Sequence, residues 1–262
     1  MSVFEFTHAI VREPGRSVVD GLRANMSAVP TYDGVVDEHR AYVAALREIG
    51  LAVDVLPPLE EFPDSVFVED PALVFDEGAI LLRPGAASRL GEAEVTRAIL
   101  HKHFDRVLEL EGEQYTDGGD VLVTPDEVLI GLSKRTSRVG AEALAEKLAQ
   151  LGRKARIAET PPGILHFKTA SSLMAEDTVL ATRAMAASGA FDNYKILATP
   201  EGEEAAANAL RLNDTVLLGD RYPRTIEMLV RAGFKVRSLK VDEIDKLDAG
   251  LSCMSLRWNS AR

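Results

Sequence analysis

The stretch Ala72-Leu-Val-Phe-Asp-Glu-Gly-Ala-Ile-Leu-Leu-Arg83 contains two apolar runs separated by a short acidic turn. Each run has the length and the aliphatic, partly β-branched composition of a single strand. The glycine that ends the turn readily adopts the positive φ that tight hairpins often need. Residues 72–83 are therefore predicted to form a β-hairpin whose basic last residue leads toward a helix.

The same pattern recurs along the chain. Further pairs of apolar runs separated by polar turns lie at residues 121–130, 172–181 and 209–218. Apolar residues with helical spacing lie at residues 91–104, 139–151 and 225–232. Short strands follow the helices, for example at residues 107–110 and 236–239. The pattern predicts a repeating unit of strand, strand, helix and strand, about 40 to 50 residues long.

The two ends of the chain supply a fifth unit. Residues 253–257 and 4–11 are both strand-like, and a predicted helix at 36–49 and strand at 52–56 complete the unit. Pairing the last strand with the first would close a ring without a free sheet edge. We therefore expect an α/β fold with five units around a central pocket, formed by a single catalytic domain over residues 1–262.

Charge and composition argue against several classes of protein. A formal net charge of −11 disfavours binding to nucleic acid, because neutralising phosphates needs clustered Lys and Arg. No apolar run approaches the roughly 20 residues of a membrane-spanning helix, and the first seven residues lack the basic region of a signal peptide. The single cysteine fits a reducing compartment. We expect a cytoplasmic protein that binds neither nucleic acid nor membranes.

Cys253 and His166 are the strongest candidates for catalytic residues. Small residues surround Cys253 in Ala249-Gly-Leu-Ser-Cys-Met-Ser255, which allows a ligand to approach the backbone closely. A lone cysteine is more often a small buried hydrophobe, so a nucleophilic role requires a base that generates the thiolate. His166 suits that role because it precedes a predicted hairpin. Three other histidines lie in predicted helices with too few partners to predict a metal site: His39, His101 and His103.

Two acidic clusters lie directly before predicted strands. In Asp64-Ser-Val-Phe-Val-Glu-Asp70, alternation along an extended chain places Asp64 and Asp70 on one face and Glu69 on the other. In Asp117-Gly-Gly-Asp120, two glycines let the backbone turn sharply and hold an acid at the mouth of a strand. Ordinary turn chemistry explains either cluster equally well when the cluster is taken alone.

Together these segments are far more specific than any one of them. Their order and spacing closely resemble the dimethylarginine dimethylaminohydrolases of the guanidino-modifying enzyme superfamily, on residues 64–70, 117–120, 165–169 and 250–255. The likeness extends from Arg16-Ser-Val-Val-Asp-Gly-Leu22 to Cys253, essentially the whole chain. The resemblance implies a five-bladed pseudosymmetric α/β propeller, in agreement with the repeat.

The resemblance also implies that Cys253 is the nucleophile, His166 the general acid and base, and Asp117 the acid that completes a triad. The thiolate would attack the guanidinium carbon of an Nω-methylated arginine, either asymmetric dimethylarginine or monomethylarginine. His166 would protonate the departing amine. Water would then release citrulline from a covalent thiouronium intermediate. The reaction needs no metal or organic cofactor, and the expected partner is this small-molecule substrate, bound by a monomer or homodimer.

Further residues are expected to bind the substrate. By the same resemblance, Asp70 would pair with the guanidinium, and Glu69 would support it from the opposite face. Arg89 and Arg135 would hold the α-carboxylate, since the planar guanidinium of arginine suits bidentate recognition of carboxylates. The α-amino group would be received by Asp64 and the backbone of Leu22.

Two departures bear on which guanidino compound is the substrate. Related arginine deiminases and amidinotransferases typically carry an acid two residues after the histidine, where this chain has Lys168. A site with fewer carboxylates favours a methylated guanidinium as the substrate. The alternative function is that of an arginine deiminase or another guanidino-modifying hydrolase. Ala249 stands where family members often have glycine, which bears on substrate fit more than on the reaction. A non-catalytic binding protein is disfavoured because Cys253 and His166 are both present.

Overall fold

Five three-stranded sheets form the framework of residues 3–260, the part of the chain described by a computed structural model. In chain order the strands are β1 (His8–Arg12), β2 (Ala52–Leu56), β3 (Ala72–Phe75), β4 (Gly78–Leu81), β5 (Val107–Glu109), β6 (Val121–Val123), β7 (Val128–Leu132), β8 (Ala155–Glu159), β9 (Ser171–Ala175), β10 (Thr178–Ala181), β11 (Lys195–Ala198), β12 (Leu210–Leu212), β13 (Thr215–Gly219), β14 (Lys235–Leu239) and β15 (Leu256–Trp258).

Each sheet repeats one topology. An inner strand (β3, β6, β9, β12 or β15) runs antiparallel to a middle strand, which runs parallel to an outer strand. In the sheet of β3, β4 and β5, Ile80 on the middle strand lies opposite Leu73 on one side and Leu108 on the other. The predicted repeat of strand, strand, helix and strand is thereby confirmed.

A helix connects the middle strand to the outer strand in every unit, because parallel strands need a long crossover connection. The α-helices of the described residues are α1 (Tyr32–Glu48), α2 (Glu92–His103), α3 (Arg138–Gln150), α4 (Arg183–Ala186) and α5 (Pro223–Arg231). Within residues 3–260, none of these helices combines the length and apolar character needed to cross a membrane.

The two ends of the chain close the ring, as predicted. β15 pairs antiparallel with β1, where Ile10 lies opposite Leu256. The expected strand over residues 253–257 is wrong at its start, since Cys253 lies in a 3-10 turn, Leu251–Met254, and β15 begins at Leu256. The N–H of Cys253 donates to the carbonyl oxygen of Gly250 at 3.2 Å, so the chain turns before it joins the sheet.

Two further elements differ from the sequence pattern. β1 begins at His8 rather than at residue 4. Helix α4 has only four residues, in the unit where the sequence shows no clear helical periodicity. Apolar packing in that unit comes from the connection instead, because the buried Phe191 lies against Phe167 with ring centroids 5.4 Å apart.

The hydrophobic core lies between the helices and the sheets. Helix α1 begins after Thr31, whose side chain accepts a hydrogen bond from the N–H of Gly34. Its fully buried Tyr42 and Leu46 belong to one apolar cluster with Val11 of β1. Burying a leucine or valine side chain contributes about 1.5–3 kcal/mol, so such clusters hold each helix against its sheet.

The segments that lead into the inner strands meet at one end of the ring. Four inner strands follow a 3-10 turn: Gly118–Asp120 before β6, Phe167–Thr169 before β9, Glu204–Ala207 before β12 and Leu251–Met254 before β15. The remaining inner strand, β3, follows residues 69–71. Contacts of β15 with β3, and of β9 with β6 and β12, place the inner strands around the ring axis. We call these five stretches, each taken with the residue directly before and the residue directly after it, the lead-in segments.

Candidate active site

The lead-in segments bring together residues that are far apart in the sequence. One oxygen or ring nitrogen from each of Asp70, Asp117 and His166 lies within 4.8 Å of the others. The N–H of Glu69 donates to the carbonyl oxygen of Cys253 at 3.2 Å. The candidate nucleophile, the candidate base and two carboxylates therefore share one end of the ring.

A buried carboxylate holds His166 in place. The Nε2 atom of His166 lies 2.9 Å from Oδ2 of Asp117, and Asp117 has no exposed surface. The other oxygen of Asp117 accepts the N–H of Gly85 at 2.6 Å, and Arg135 Nη1 lies 3.6 Å from Oδ2. The backbone N–H of His166 donates to Thr169 Oγ1 at 3.2 Å. These contacts fix both the ring and its backbone.

Two glycines allow the lead-in segments to pack this closely. A Cβ atom on Gly119 would lie 2.7 Å from Nδ1 of His166, and one on Gly118 would lie 2.0 Å from the carbonyl oxygen of Glu69. Both distances are well below ordinary van der Waals contact. The double glycine therefore permits close approach of the segments that carry His166 and Glu69.

The electrostatic surroundings keep His166 protonated. Burial by itself lowers its pKa, but the negative charge of Asp70 and the hydrogen bond to Asp117 outweigh burial and raise the pKa to about 9. For Asp70, burial raises the pKa, but the positive charges of Arg89 and His166 hold it below its usual value. At neutral pH the site therefore contains an imidazolium beside a carboxylate.

The thiol of Cys253 is buried near acidic groups. Burial, followed by the negative charges of Glu69 and Asp70, raises its pKa to about 11. Two neutral side-chain groups lie at hydrogen-bonding distance from the sulfur: Asn208 Nδ2 at 3.8 Å and Ser252 Oγ at 3.9 Å. A backbone hydrogen bond from Gly250 also acts to lower the pKa. The thiol is therefore protonated at neutral pH, and a cation bound beside it would favour the thiolate.

Glu69 faces away from Asp70, as predicted, but the expected extended chain is wrong, because residues 63–66 and 68–71 form turns. Its Oε1 lies 2.5 Å from Lys168 Nζ and accepts a hydrogen bond from Arg257 Nη2 at 2.9 Å. Its Oε2 accepts a hydrogen bond from Ser252 Oγ at 3.4 Å. Two largely buried cations thus pair with Glu69 and leave Asp70 as the carboxylate that contacts the His166 side of the site.

Arg89 is buried next to Asp70. Its guanidinium forms an ion pair with Asp70, and it binds both oxygens of Glu92 at 2.8 and 2.7 Å. Its Nη2 also donates to the carbonyl oxygen of Phe67 at 2.9 Å. Each guanidinium nitrogen therefore has a protein partner, and Arg89 anchors Asp70. To bind a substrate carboxylate, Arg89 would have to release some of these contacts.

The other expected substrate contacts surround this cluster. Asp64 Oδ1 accepts the N–H of Leu22 at 2.9 Å, and the carbonyl oxygen of Asp64 lies 3.2 Å from Arg89 Nη2. Arg135 is partly buried beside Asp117, with 19% of its side chain exposed. The side chain of Arg135 is thus more exposed than that of Arg89.

The spacing of Asp70, Asp117 and His166 is also compatible with a bound metal ion. The groups are already engaged with one another, however, since His166 binds Asp117 and Asp70 pairs with Arg89. A metal ion would therefore have to compete with the positive charge of Arg89. We interpret the cluster as a proton-transfer group, and a metal-independent reaction stays a prediction.

A cavity of about 520 Å³ lies at the opposite end of the ring, between the inner strands and their hairpin turns. Its lining includes Glu69, Lys168 and Ser252, whereas neither Cys253 nor His166 belongs to it among the described residues. Ser252 Oγ contacts both Glu69 and the sulfur of Cys253. The ion pair of Glu69 and Lys168 therefore lies between this cavity and the sulfur.

Several contacts of the site were not predicted from the sequence: Glu92, Asn208, Ser252 and Arg257. Glu92 and Arg257 have no motif of their own, and only their distance to Arg89 and Glu69 shows their role. Asn208 does have a positional signal, because it follows the fourth-unit turn Glu204–Ala207 just before β12. The equivalent lead-in segments of the other units carry the predicted catalytic residues.

Comparisons with known proteins agree with this fold. A family model described as arginine deiminase matches residues 55–202. A five-unit α/β ring with a cysteine, a histidine and carboxylates at one end defines a guanidino-modifying enzyme. Over 257 residues the chain is 37% identical to the N(G),N(G)-dimethylarginine dimethylaminohydrolase of Pseudomonas aeruginosa, covering 97% of this chain and 100% of that protein. This chain belongs to the dimethylarginine dimethylaminohydrolase family.

Solved structures of related proteins have the same fold. A cysteine-to-serine mutant of the Pseudomonas aeruginosa enzyme, complexed with citrulline, is 36% identical and superposes with a TM-score of 0.94, covering 97% of this chain and 100% of that one. A histidine-to-glycine mutant of a dimethylarginine dimethylaminohydrolase, solved as an adduct with S-methyl-L-thiocitrulline, is 36% identical and has a TM-score of 0.92. The match covers 96% of this chain and 99% of that one. The predicted five-unit α/β fold is thus confirmed over nearly the whole chain.

Proposed function

We propose that this chain hydrolyses Nω-methylated arginines to citrulline and a methylated amine, with Cys253 as nucleophile and His166 as general acid and base. The observation that carries the proposal is the buried bond of 2.9 Å between His166 and Asp117, at the end of the ring that also holds Cys253. Near full-length similarity to dimethylarginine dimethylaminohydrolases supports the substrate class.

Binding of the substrate prepares both reactants. A guanidinium delocalises its charge over three nitrogens and is a poor electrophile. Asp70 replaces the water lost when this cation is buried, and it orients the guanidinium carbon toward the sulfur. The bound cation offsets the negative charges of Glu69 and Asp70 near Cys253, so the thiol loses its proton to solvent.

Two chemical steps follow. The Cys253 thiolate forms a bond to the guanidinium carbon, and protonated His166 gives its proton to the methylated nitrogen, which leaves as the neutral amine. A thiouronium intermediate remains on the sulfur. His166, now neutral, takes a proton from water, whose oxygen attacks the same carbon. The carbon–sulfur bond breaks, the thiolate is restored, and loss of a proton yields the urea group of citrulline.

The amino-acid end of the substrate needs contacts of opposite charge. Arg135 and Arg89 would hold the α-carboxylate, while Asp64 and the Leu22 backbone would bind the α-amino group. Arg135 supports this assignment because 19% of its side chain is exposed beside Asp117. Glu69 would act indirectly, since its carboxylate already pairs with Lys168 and Arg257.

Arginine deiminase activity is the second candidate, because the matching family model carries that description. The position two residues after the histidine argues against it. In this chain Lys168 occupies that position, and it pairs with Glu69 instead of offering a carboxylate to a second guanidinium edge. A methylated substrate needs fewer such carboxylates.

We further propose that residues 1–262 work as a single catalytic domain, in the cytoplasm, as a monomer or homodimer without nucleic-acid partners. The continuous ring and the net charge of −11 support this arrangement. Light scattering during gel filtration measures the oligomeric state. A protein that elutes as a larger assembly would contradict it.

The decisive experiment is to measure citrulline and amine formation from asymmetric dimethylarginine, monomethylarginine and arginine, in parallel with Cys253→Ala. Equal amounts of citrulline and dimethylamine from the dimethylated substrate, absent in the variant, are expected. Turnover of arginine to ammonia in preference to the methylated substrates would instead identify a deiminase. Full activity of Cys253→Ala would refute the proposed role of Cys253 as the nucleophile.

A further inference from the structure

Four of the five lead-in segments already supply a residue of the proposed mechanism: Asp70, Asp117, His166 and Cys253. The fourth unit is the exception, because no role is assigned to its lead-in segment. In that unit the turn Glu204–Ala207 is followed by Asn208, directly before the inner strand β12. Pseudosymmetry therefore places Asn208 at the same level of the ring as the catalytic groups.

The Asn208 side chain contacts the turn that carries the nucleophile. Asn208 is more than nine-tenths buried, and its Nδ2 lies 3.8 Å from the sulfur of Cys253. Its Oδ1 accepts the N–H of Ser252 at 3.4 Å. The N–H of Ser252 can only donate, so the amide oxygen must face it and the amide nitrogen must face the sulfur.

Gly250 allows this contact. A Cβ atom on Gly250 would lie 2.4 Å from Cγ of Asn208, so the amide packs directly on the Gly250 backbone. The N–H of Cys253 donates to the carbonyl oxygen of the same Gly250. The amide of Asn208 therefore contacts both the start of the nucleophile turn and its sulfur.

The sulfur needs such a donor because its surroundings disfavour negative charge. Among the described residues, three groups stand as possible donors to it: Asn208 Nδ2, Ser252 Oγ and the backbone N–H of Gly250, which lowers the Cys253 pKa. The hydroxyl of Ser252 has one proton and also lies 3.4 Å from the Glu69 carboxylate, which competes for that proton. The amide of Asn208 has no acceptor of this kind, and, being neutral, it does not repel a cationic substrate as a lysine would.

We propose that Asn208 is a further catalytic residue, whose amide N–H stabilises the Cys253 thiolate both when it attacks and when it leaves. The proposal rests on the proposed role of Cys253 as the nucleophile. A hydrogen bond to a charged acceptor is stronger than one to a neutral acceptor, so the contact strengthens when the thiol ionises. The amide thus favours the two states of the reaction in which sulfur carries the charge.

The test uses Asn208→Ala and the nearly isosteric Asn208→Asp, with the exposed Asn193→Ala as matched control. Cys253 is the single cysteine of the sequence, so alkylation by iodoacetamide reports on this sulfur alone. A rise of one unit in the thiol pKa lowers the thiolate fraction about tenfold, while the thiolate that remains is more nucleophilic. We expect alkylation of Asn208→Ala at fixed pH to slow about threefold or more.

Turnover provides the second readout. We expect kcat of Asn208→Ala to fall about ten- to hundredfold with little change in KM. The kcat of Asn208→Asp should fall further, because its carboxylate repels the thiolate. Normal alkylation and turnover in both variants would overturn the proposal. So would lost turnover with an unchanged alkylation profile, because that result indicates a purely structural role. Alkylation needs no substrate, so it tests Asn208 even if the protein forms no citrulline.

Discussion

Lys168 and Glu69 form a largely buried ion pair of 2.5 Å behind the turn that carries Cys253. Lys168 stands where related deiminases typically carry an acid, so a cation replaces a carboxylate at this level of the ring. Its positive charge opposes the stronger effects of burial, Glu69 and Asp70 on the Cys253 pKa. The positive charge of Lys168 therefore links this ion pair to the ionisation of Cys253.

Replacing Lys168 tests this link. In Lys168→Met the side chain keeps most of its length but loses its charge, and Glu69 retains Arg257 as its remaining cation. We expect the free energy of unfolding to fall by about 1–3 kcal/mol, since one partner of a largely buried network is removed. Alkylation of Cys253 should also slow. Urea denaturation measures the first effect, with the exposed Lys195→Met as control. Equal stability of the two variants would contradict a stabilising pair.

The raised pKa of His166 predicts a loss of activity and stability at high pH. Its folded pKa is about 9 against an ordinary value of 6.5, so the protonated form stabilises the fold. This stabilisation, roughly 3 kcal/mol, is fully present below pH 6.5 and is lost as pH rises through about 9.

The free energy of unfolding of the wild-type protein should therefore decline as the pH rises from 6.5 to about 9. His166→Asn should abolish this decline. The exposed His101→Asn should retain it. A decline of the same size in the His166 variant would assign the effect to other groups. Activity should fall over the same range, because the amine leaves only after His166 protonates it.

Arg135 is expected to determine recognition of the α-carboxylate. Losing a charged hydrogen bond to the substrate costs about 1.5–3 kcal/mol, so Arg135→Gln should lower kcat/KM for dimethylarginine about 10- to 100-fold. For the decarboxylated analogue of the substrate, Arg135→Gln should change kcat/KM little. Arg138→Gln, on the exposed face of α3, is the control. An equal loss with both compounds would show that Arg135 acts through Asp117 rather than on the carboxylate.

Gly119 should tolerate no side chain. In Gly119→Ala the new methyl group would lie 2.7 Å from Nδ1 of His166 and 3.0 Å from Oδ1 of Asp70, so it must displace one of them. A displacement near 1 Å in an active site costs about a hundredfold in rate, and we expect kcat to fall by at least that much. In Gly15→Ala the nearest atoms belong to the flexible Glu60 side chain, and activity should persist. Wild-type turnover in Gly119→Ala would show that Gly119 and His166 are not held so closely.

The sequence by itself determined the repeat and the chemical types of the site. Hairpins such as Ala72–Phe75 with Gly78–Leu81 follow from local apolar runs and turn residues, which act over a few residues. The closed ring was predicted because it removes a free sheet edge at the paired ends of the chain. The motifs around Cys253, His166 and Asp117 identified the family, because their order and spacing are visible without a structure.

Only the tertiary structure decided which side chains meet. Cys253 lies on a turn rather than in a strand, Arg89 is buried against Asp70 instead of standing free, and Asn208 contacts the sulfur. The hydrophobic pattern shows none of these relations. Arg89 and Asp70, like Asn208 and Cys253, are distant in the sequence and meet only in the folded ring. Hydrophobic periodicity specifies where strands and helices lie along the chain. Side-chain partners depend on which lead-in segments the closed ring brings within a few ångströms.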